Sequence, residues 1–179
     1  MPKRIRIRRR RAPLLLPVFL SSLCAGCLNP FAPELKKSPD SSLLITEQKN
    51  PEQVLQNFKY AYTFKDSLLY ANLLDSSFVF VYFDPNADPS GRFVSWGRDV
   101  DLRTTARLFR SFNVIDLTWN STIYSFQEGD AGELSKSFSL NLVGEEVDVK
   151  ISGNAVFSFR KCPYDSTWRI TRWKDESEF

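Results

Sequence analysis

The sequence predicts an α+β domain in which an antiparallel sheet packs on about three helices. Three observations support this class. Apolar residues recur at helical spacing between residues 50 and 112, a dense β-branched and aromatic run occupies residues 78–83, and apolar residues alternate from residue 114 onward. The 179-residue chain is 42% hydrophobic, which is enough to build one core. We therefore expect one folded domain, at residues 50–179.

The first 26 residues have the pattern of an export signal. Seven basic side chains lie within residues 3–11, and the apolar run that follows them is short and broken by Pro13 and Pro17. Such a run cannot form a membrane-spanning helix of about 20 residues. Without this leader, 17 of the 24 basic residues remain against 21 acidic ones, a net charge near −4. A nucleic-acid partner is therefore not expected.

The residues after the apolar run resemble the lipobox of bacterial lipoproteins. Residues 23–27 read Leu-Cys-Ala-Gly-Cys, so two small residues directly precede Cys27. The resemblance implies that Cys27 receives lipid, including acyl chains such as palmitate, and that residues 1–26 are removed. The mature chain would then be anchored to a membrane and would not span it. Cys24 is the weaker candidate because the bulky Leu23 precedes it, and an ordinary cleaved signal peptide remains an alternative.

The residues after Cys27 predict a tether and a location. Residues 27–49 combine the lipidated cysteine with a segment rich in proline and serine, which is typical of a flexible linker reaching on the order of 25 Å. An aspartate directly after the lipidated cysteine would resemble an inner-membrane retention signal, but this position is occupied by Leu28. The expected location is therefore the cell envelope, at the outer membrane facing the periplasm. Cys162 would be left as the one unmodified cysteine, so no intramolecular disulfide is expected.

Two helices are predicted to open the domain. Asn50 as N-cap and Pro51 at the first helical position favour a helix start, and Asp66 can cap a second, short helix. The apolar stripe of the first helix is Val54, Leu55, Phe58, Ala61 and Tyr62. The apolar positions of the second are Leu68, Leu69, Leu73 and Leu74.

A strand and a third helix are predicted next. The run at residues 78–83 is interpreted as a strand buried on both faces. After a loop, Ser95 is expected to cap a helix that extends to about Phe112, with an arginine-rich outer face. From Val114 onward, the alternation predicts four or five antiparallel strands with turns at residues 129–132 and 144–146.

This order of elements resembles the nuclear-transport-factor-two-like (SnoaL-like) fold, over about residues 50–175. The resemblance rests on the opening amphipathic helix, a third helix between the first strand and a long meander, and a last strand at residues 167–170. It implies a cone whose curved antiparallel sheet wraps a helix. Cystatin-like and ferredoxin-like arrangements remain alternatives.

The absence of histidine limits the possible chemistry. Ser-His-Asp, Cys-His and other histidine-based schemes are impossible, and the commonest zinc ligand is missing. Steroid isomerases of the resembled superfamily instead use an aspartate base with a tyrosine and a second acid. The resemblance makes four residues cavity candidates: Tyr62, Tyr82, Asp99 and Asp101. Trp96 is a fifth candidate, because a tryptophan ring can stack on a ligand. Each also has an ordinary interpretation, as a core aromatic residue or as an acid at a helix N-terminus.

No metal site or cofactor is predicted. Residues 84–88 imitate the first positions of a calcium loop, but Pro89 stands where that loop needs glycine and Ser95 where it needs glutamate. A turn stabilised by local hydrogen bonds explains this composition.

Three functions remain open from the sequence. The first is a non-catalytic lipoprotein domain that binds a small molecule or an envelope protein. The second is an isomerase, dehydratase or hydrolase that uses a carboxylate and a tyrosine. The third is an interaction module that forms a homodimer through its sheet, which a large exposed apolar patch on the sheet would favour.

Overall fold

The computed structural model describes residues 45–178, which form one six-stranded sheet packed against three helices. The leader, Cys27 and most of the predicted tether lie outside the described residues. The helices are α1 (Pro51–Thr63), α2 (Ser67–Leu73) and α3 (Arg98–Ser111). The strands are β1 (Leu74–Asp84), β2 (Arg92–Gly97), β3 (Val114–Glu128), β4 (Ala131–Val143), β5 (Asp148–Lys161) and β6 (Trp168–Glu178). The predicted α+β class, with three helices on a curved sheet, is confirmed.

The sheet is antiparallel with one exception. Its strand order is β2-β1-β6-β5-β4-β3, and β3, β4 and β5 form the long meander that the alternating pattern predicted. The exception is the pair β1 and β6, which run parallel from Leu74 and Ile170 to Val81 and Lys174. The last strand therefore lies between the first strand and the meander, and it closes the sheet into one continuous surface.

The helix starts test the predicted caps. The Asn50 side chain accepts a hydrogen bond from the Gln53 amide at 2.9 Å, and Asp66 accepts from two amides of α2, so both predicted caps are confirmed. The cap predicted at Ser95 is wrong. Ser95 lies in β2 opposite Val81, and α3 begins three residues later without a side-chain cap.

The interpretation of residues 78–83 as a strand buried on both faces is also wrong. Phe78 and Phe80 point to the face of the sheet that carries the helices, here called the inner face, and are buried. Val79 and Phe83 point to the opposite, outer face and are 37% and 45% exposed. The helices cover only one face, so even a wholly apolar strand is half-buried.

The core is an aromatic cluster centred on Phe58 of α1. Its ring lies 4.7 to 5.9 Å from five other rings, in stacked, edge-to-face and tilted arrangements. The partners are Tyr62, Tyr70, Trp119, Phe157 and Trp173. These residues come from α1, α2 and three strands, so the cluster ties the helices to the inner face.

The segment before α1 is hydrogen bonded to the domain. The amide of Thr46 donates to the buried Asn57 side chain at 2.7 Å, and Asn57 donates back to the Thr46 carbonyl at 3.0 Å. The Trp168 amide donates to the Gln48 carbonyl at 2.8 Å. None of the helices in residues 45–178 has the length and apolar character needed to cross a membrane.

Candidate functional site

The carboxylate of Asp101 lies at the centre of a buried polar network. Asp101 is in the first turn of α3 and is 3% exposed. One of its oxygens accepts a hydrogen bond from the Tyr70 hydroxyl at 2.6 Å, and the other accepts from the Trp96 indole nitrogen at 3.0 Å. Both oxygens therefore have protein donors, as a buried carboxylate requires.

The environment changes the protonation behaviour of this network. Burial raises the pKa of Asp101, although the hydrogen bonds from Tyr70 and Trp96 oppose that effect. Burial also raises the pKa of Tyr70, and the neighbouring Tyr62 and Asp101 add to the shift. The pKa of Tyr62 is raised mainly by burial and further by the Asp101 charge. Proton release from all three groups is therefore disfavoured.

The structure brings four of the five predicted cavity residues into one region. The Trp96 ring lies 5.2 Å from that of Tyr82, its indole contacts Asp101, and Tyr62 packs edge-to-face on Tyr70 at 5.7 Å. The fifth residue, Asp99, is exposed and lines a shallow surface depression. It contributes to the first turn of α3, the helix-dipole role expected of an ordinary acid.

The interior around this network is filled by side chains. Tyr70 and Tyr62 are 1% and 5% exposed, and rings surround both of them. The indole ring of Trp173 stacks on Phe157 and packs edge-to-face on Phe58 and Phe80 in this interior. A carboxylate and two tyrosines could perform acid–base chemistry, but here they contact each other, tryptophan and phenylalanine.

A solvent-open cleft lies where β1 and β6 separate, and we call it the sheet-end cleft. Parallel pairing ends at Val81 and Lys174, after which β1 continues beside β2 and β6 continues beside β5. The cavity between them has a volume of about 380 Å³. It is lined by Tyr82, Phe83, Pro85, Phe93, Lys174, Asp175, Glu176 and Ser177.

Two of the three charged residues that line the sheet-end cleft are paired with each other. Lys174 forms an ion pair with Glu176 and places its ammonium 5.3 Å from the centre of the Phe93 ring. Asp175 is half-buried and accepts hydrogen bonds from the amide and hydroxyl of Ser177, both at 3.0 Å. Burial raises the pKa of Asp175, and the charge of Glu176 adds to this effect, whereas the Ser177 hydrogen bonds oppose it.

The outer face of the sheet is exposed and mixed in character. Apolar side chains lie at both of its edges, with Phe83 and Phe93 on β1 and β2, and Tyr124 and Phe126 on β3. The Tyr124 hydroxyl donates to Glu133 at 2.6 Å, and this hydrogen bond raises the pKa of Tyr124 to about 12. This surface could pack against a second protein.

The described residues do not form a metal cluster. Within residues 45–178, no group of three or more cysteine, aspartate or glutamate side chains is arranged to hold a metal ion. In the calcium-like segment, Asp84 accepts from the Asn86 amide and Asp88 from the Ser90 amide, so both residues stabilise local turns.

Two contributors to these sites were missed by the sequence interpretation. The stripe assigned to α2 was wrong at its start, because Leu68 is 80% exposed while Tyr70 is buried. The spacing of Tyr70 three and four residues before Leu73 and Leu74 was the available signal. Asp175 was missed because no local sequence pattern distinguishes it from an exposed acid such as its neighbour Glu176.

Comparisons with known proteins identify the fold. No family model matches the chain, and no curated protein matches it significantly. A conserved protein from Planctomyces limnophilus superposes with a TM-score of 0.61 at 12% identity, covering 71% of this chain and 92% of that protein. A protein proposed to be a scytalone dehydratase, from Novosphingobium aromaticivorans, gives 0.59 at 15% identity, covering 72% and 81%.

A third similar structure is a nuclear transport factor 2-like superfamily protein from Salmonella enterica. It gives a TM-score of 0.52 at 14% identity, covering 70% of this chain and 85% of that protein. The chain therefore has the nuclear-transport-factor-two-like fold that the order of its elements predicted. Identities this low establish the fold alone, because proteins of one fold perform many unrelated functions.

Proposed function

We propose that this protein is a bacterial lipoprotein whose domain binds a ligand or an envelope protein without catalysis. The leader and the resemblance of residues 23–27 to a lipobox support export and lipidation at Cys27. The acyl chains would hold the mature protein on the periplasmic side of the outer membrane. The negative charge of the mature chain argues against nucleic acid as a partner.

The burial of Asp101 is the observation that carries the non-catalytic role. A general acid or base must come within hydrogen-bond reach of a substrate. At Asp101, which is 3% exposed, each carboxylate oxygen already accepts a hydrogen bond from a protein side chain, one from Tyr70 and the other from Trp96. The network therefore acts as a structural support between α2, α3 and β2, and binding takes place at the open sheet-end cleft or on the outer face.

A catalytic role is the second candidate, and the raised pKa of Asp101 favours it. A protonated carboxyl group next to Tyr70 and Tyr62 matches the carboxylate-and-tyrosine chemistry of an isomerase or dehydratase. The similar structure from Novosphingobium aromaticivorans, proposed to be a scytalone dehydratase, has the same fold. This candidate requires the interior to open to a substrate.

A homodimer is a compatible third role. The exposed aromatic side chains at both edges of the outer face would be covered if two sheets packed together. In this case a charge introduced by Phe126→Asp, at a 58% exposed position, would dissociate the dimer and leave the monomer folded.

Labelling with a radioactive fatty acid in a bacterial host tests the anchor. Wild-type protein and the Cys24→Ala variant should both incorporate label and sediment with membranes. The Cys27→Ala variant should lose both properties. If Cys27→Ala is still labelled, the assignment of the lipidated residue is wrong.

Native mass spectrometry of the gently purified full chain tests the binding role. A reproducible small-molecule adduct would support ligand binding, and a dimer that Phe126→Asp abolishes would support the interaction module. A chain that is monomeric and free of adducts would contradict both forms of the proposal.

A further inference from the structure

We propose that the sheet-end cleft binds a small organic ammonium ion, with the Asp175 carboxylate as its counter-charge and the Tyr82 ring as its aromatic wall. This inference rests on the proposed binding function, because it names the ligand class for one of the two surfaces to which that function was assigned. Three properties of the cleft support it: its charge, its aromatic lining and its size.

Among the described residues, the Asp175 carboxylate is the charged group of the cleft that lacks a counter-ion. Lys174 is committed to Glu176 and to the Phe93 ring. The hydrogen bonds to Asp175 come from neutral Ser177, and within residues 45–178 Asp175 forms no ion pair. A half-buried carboxylate without a counter-ion is costly, and a cation entering the cleft would remove much of that cost.

The aromatic lining of the cleft suits an ammonium group. Aromatic faces attract cations through their quadrupole, and aromatic cages recognise quaternary ammonium ions. The protein uses this combination at the rim of the cleft, where the Lys174 ammonium contacts both the Phe93 ring and the Glu176 carboxylate. Tyr82 and Asp175, which follow the paired residues Val81 and Lys174 in their strands, offer the same combination on the inner side of the cleft.

The volume of the cleft limits the size of the ligand. A volume of about 380 Å³ is at the lower end of the range for small-molecule sites. The cleft is also open to solvent, because the Phe83 side chain at its outer rim is 45% exposed. A compact amine or a choline-like headgroup therefore fits better than a large apolar ligand, which would leave much of its surface in water.

The experiment is a titration of the isotope-labelled full chain, in its processed form and in a mild detergent, followed by amide NMR. The probe is tetramethylammonium chloride, and sodium chloride keeps the ionic strength constant. Saturable shifts are expected at residues 82–85 and 174–177. tert-Butanol, a neutral molecule of similar shape, should not reproduce them.

Three variants make the test specific. Asp175→Asn keeps an acceptor for Ser177 but removes the charge, and it should weaken binding by about tenfold or more. Tyr82→Leu keeps apolar bulk but removes the ring, and it should weaken binding in the same direction. The control Glu128→Gln, at an exposed position at the end of β3 and three strands away from β6, should change the affinity by less than about twofold.

The outcomes separate this inference from the proposed function. Absence of saturable shifts in the cleft, equal shifts with tert-butanol, or unchanged affinity in Asp175→Asn would overturn the ammonium assignment. If native mass spectra still carry an adduct in that case, the binding function stands and only the ligand class is wrong. Where tetramethylammonium binds, tighter binding of glycerophosphocholine than of choline assigns a lipid headgroup, and the reverse assigns a free amine.

Discussion

Two tyrosine–carboxylate hydrogen bonds of equal length lie in opposite regions of this domain. Tyr70 donates to Asp101 in the interior, and Tyr124 donates to Glu133 on the outer face, each at 2.6 Å. Tyr70 is 1% exposed and Tyr124 is 42% exposed. Water can replace the outer hydrogen bond but not the inner one. In this fold, exposure to solvent and not residue type therefore determines whether a polar side chain is enclosed in the structure or free to contact other molecules.

The same contrast separates the two carboxylates that carry the functional argument. Asp101 and Asp175 both have a pKa raised by burial. Asp101 is enclosed by Tyr70 and Trp96, whereas Asp175 borders an open cleft and is bonded to Ser177. This difference is the basis on which we propose a structural role for Asp101 and a binding role for Asp175.

The largest expected effect comes from removing one aromatic ring from each region. Phe58→Ala should lower the free energy of unfolding by about 3–5 kcal/mol, because it leaves a cavity among five rings. The matched Phe93→Ala, at a 59% exposed position, should cost about 1 kcal/mol or less. Urea unfolding followed by circular dichroism measures both. Similar midpoints for the two variants would contradict the contrast between interior and outer face.

A smaller effect is expected from deleting one hydroxyl in each region. Tyr70→Phe should lower the free energy of unfolding by about 1.5–3 kcal/mol, because it removes a buried hydrogen bond to a carboxyl group. Tyr124→Phe should change it by about 0.5 kcal/mol or less. Both values come from the same urea measurement. Equal losses would mean that burial does not separate the two hydrogen bonds.

The smallest effect is a dependence of stability on pH. Because the pKa of Asp101 is raised in the folded state, its contribution to stability is fully present below the ordinary carboxyl pKa of about 4. The contribution is lost as the pH rises through the raised value. The unfolding free energy of wild type should therefore fall relative to that of Asp101→Asn across this window. Parallel pH profiles for the two proteins would contradict this prediction. They would show that ionisation of Asp101 does not lower the free energy of unfolding.

The elements that depend on neighbouring residues were predictable from the sequence. The caps at Asn50 and Asp66 involve amides two or three residues away, so the local pattern contains all of the information. The hairpin turns were predictable for the same reason: the predicted turns at residues 129–132 and 144–146 overlap the observed connections at 129–130 and 144–147. Together with the alternation in β3, β4 and β5, these signals were enough to predict the fold.

The features that depend on distant residues were not predictable. β2 was read as a loop and a helix start, because its strand character comes from pairing with β1, as between Ser95 and Val81. The parallel pairing of β1 with β6 joins residues about a hundred positions apart. This pairing creates the sheet-end cleft, so the sequence could suggest Tyr82 as a site residue but not its neighbour Asp175.

Hydroxyl-radical footprinting of the native full chain tests the central claim, that the interior is closed and the sheet-end cleft is open. Tyr164, at 96% exposure, sets the rate of a free side chain. We predict that Phe83 and Phe93 are oxidised at rates approaching that reference, while Tyr62 and Tyr70 stay protected until the chain is unfolded in urea. Oxidation of Tyr62 and Tyr70 in the native protein at rates like those of Phe83 would contradict the account. Such a result would show an interior that small molecules can enter, as the catalytic alternative requires.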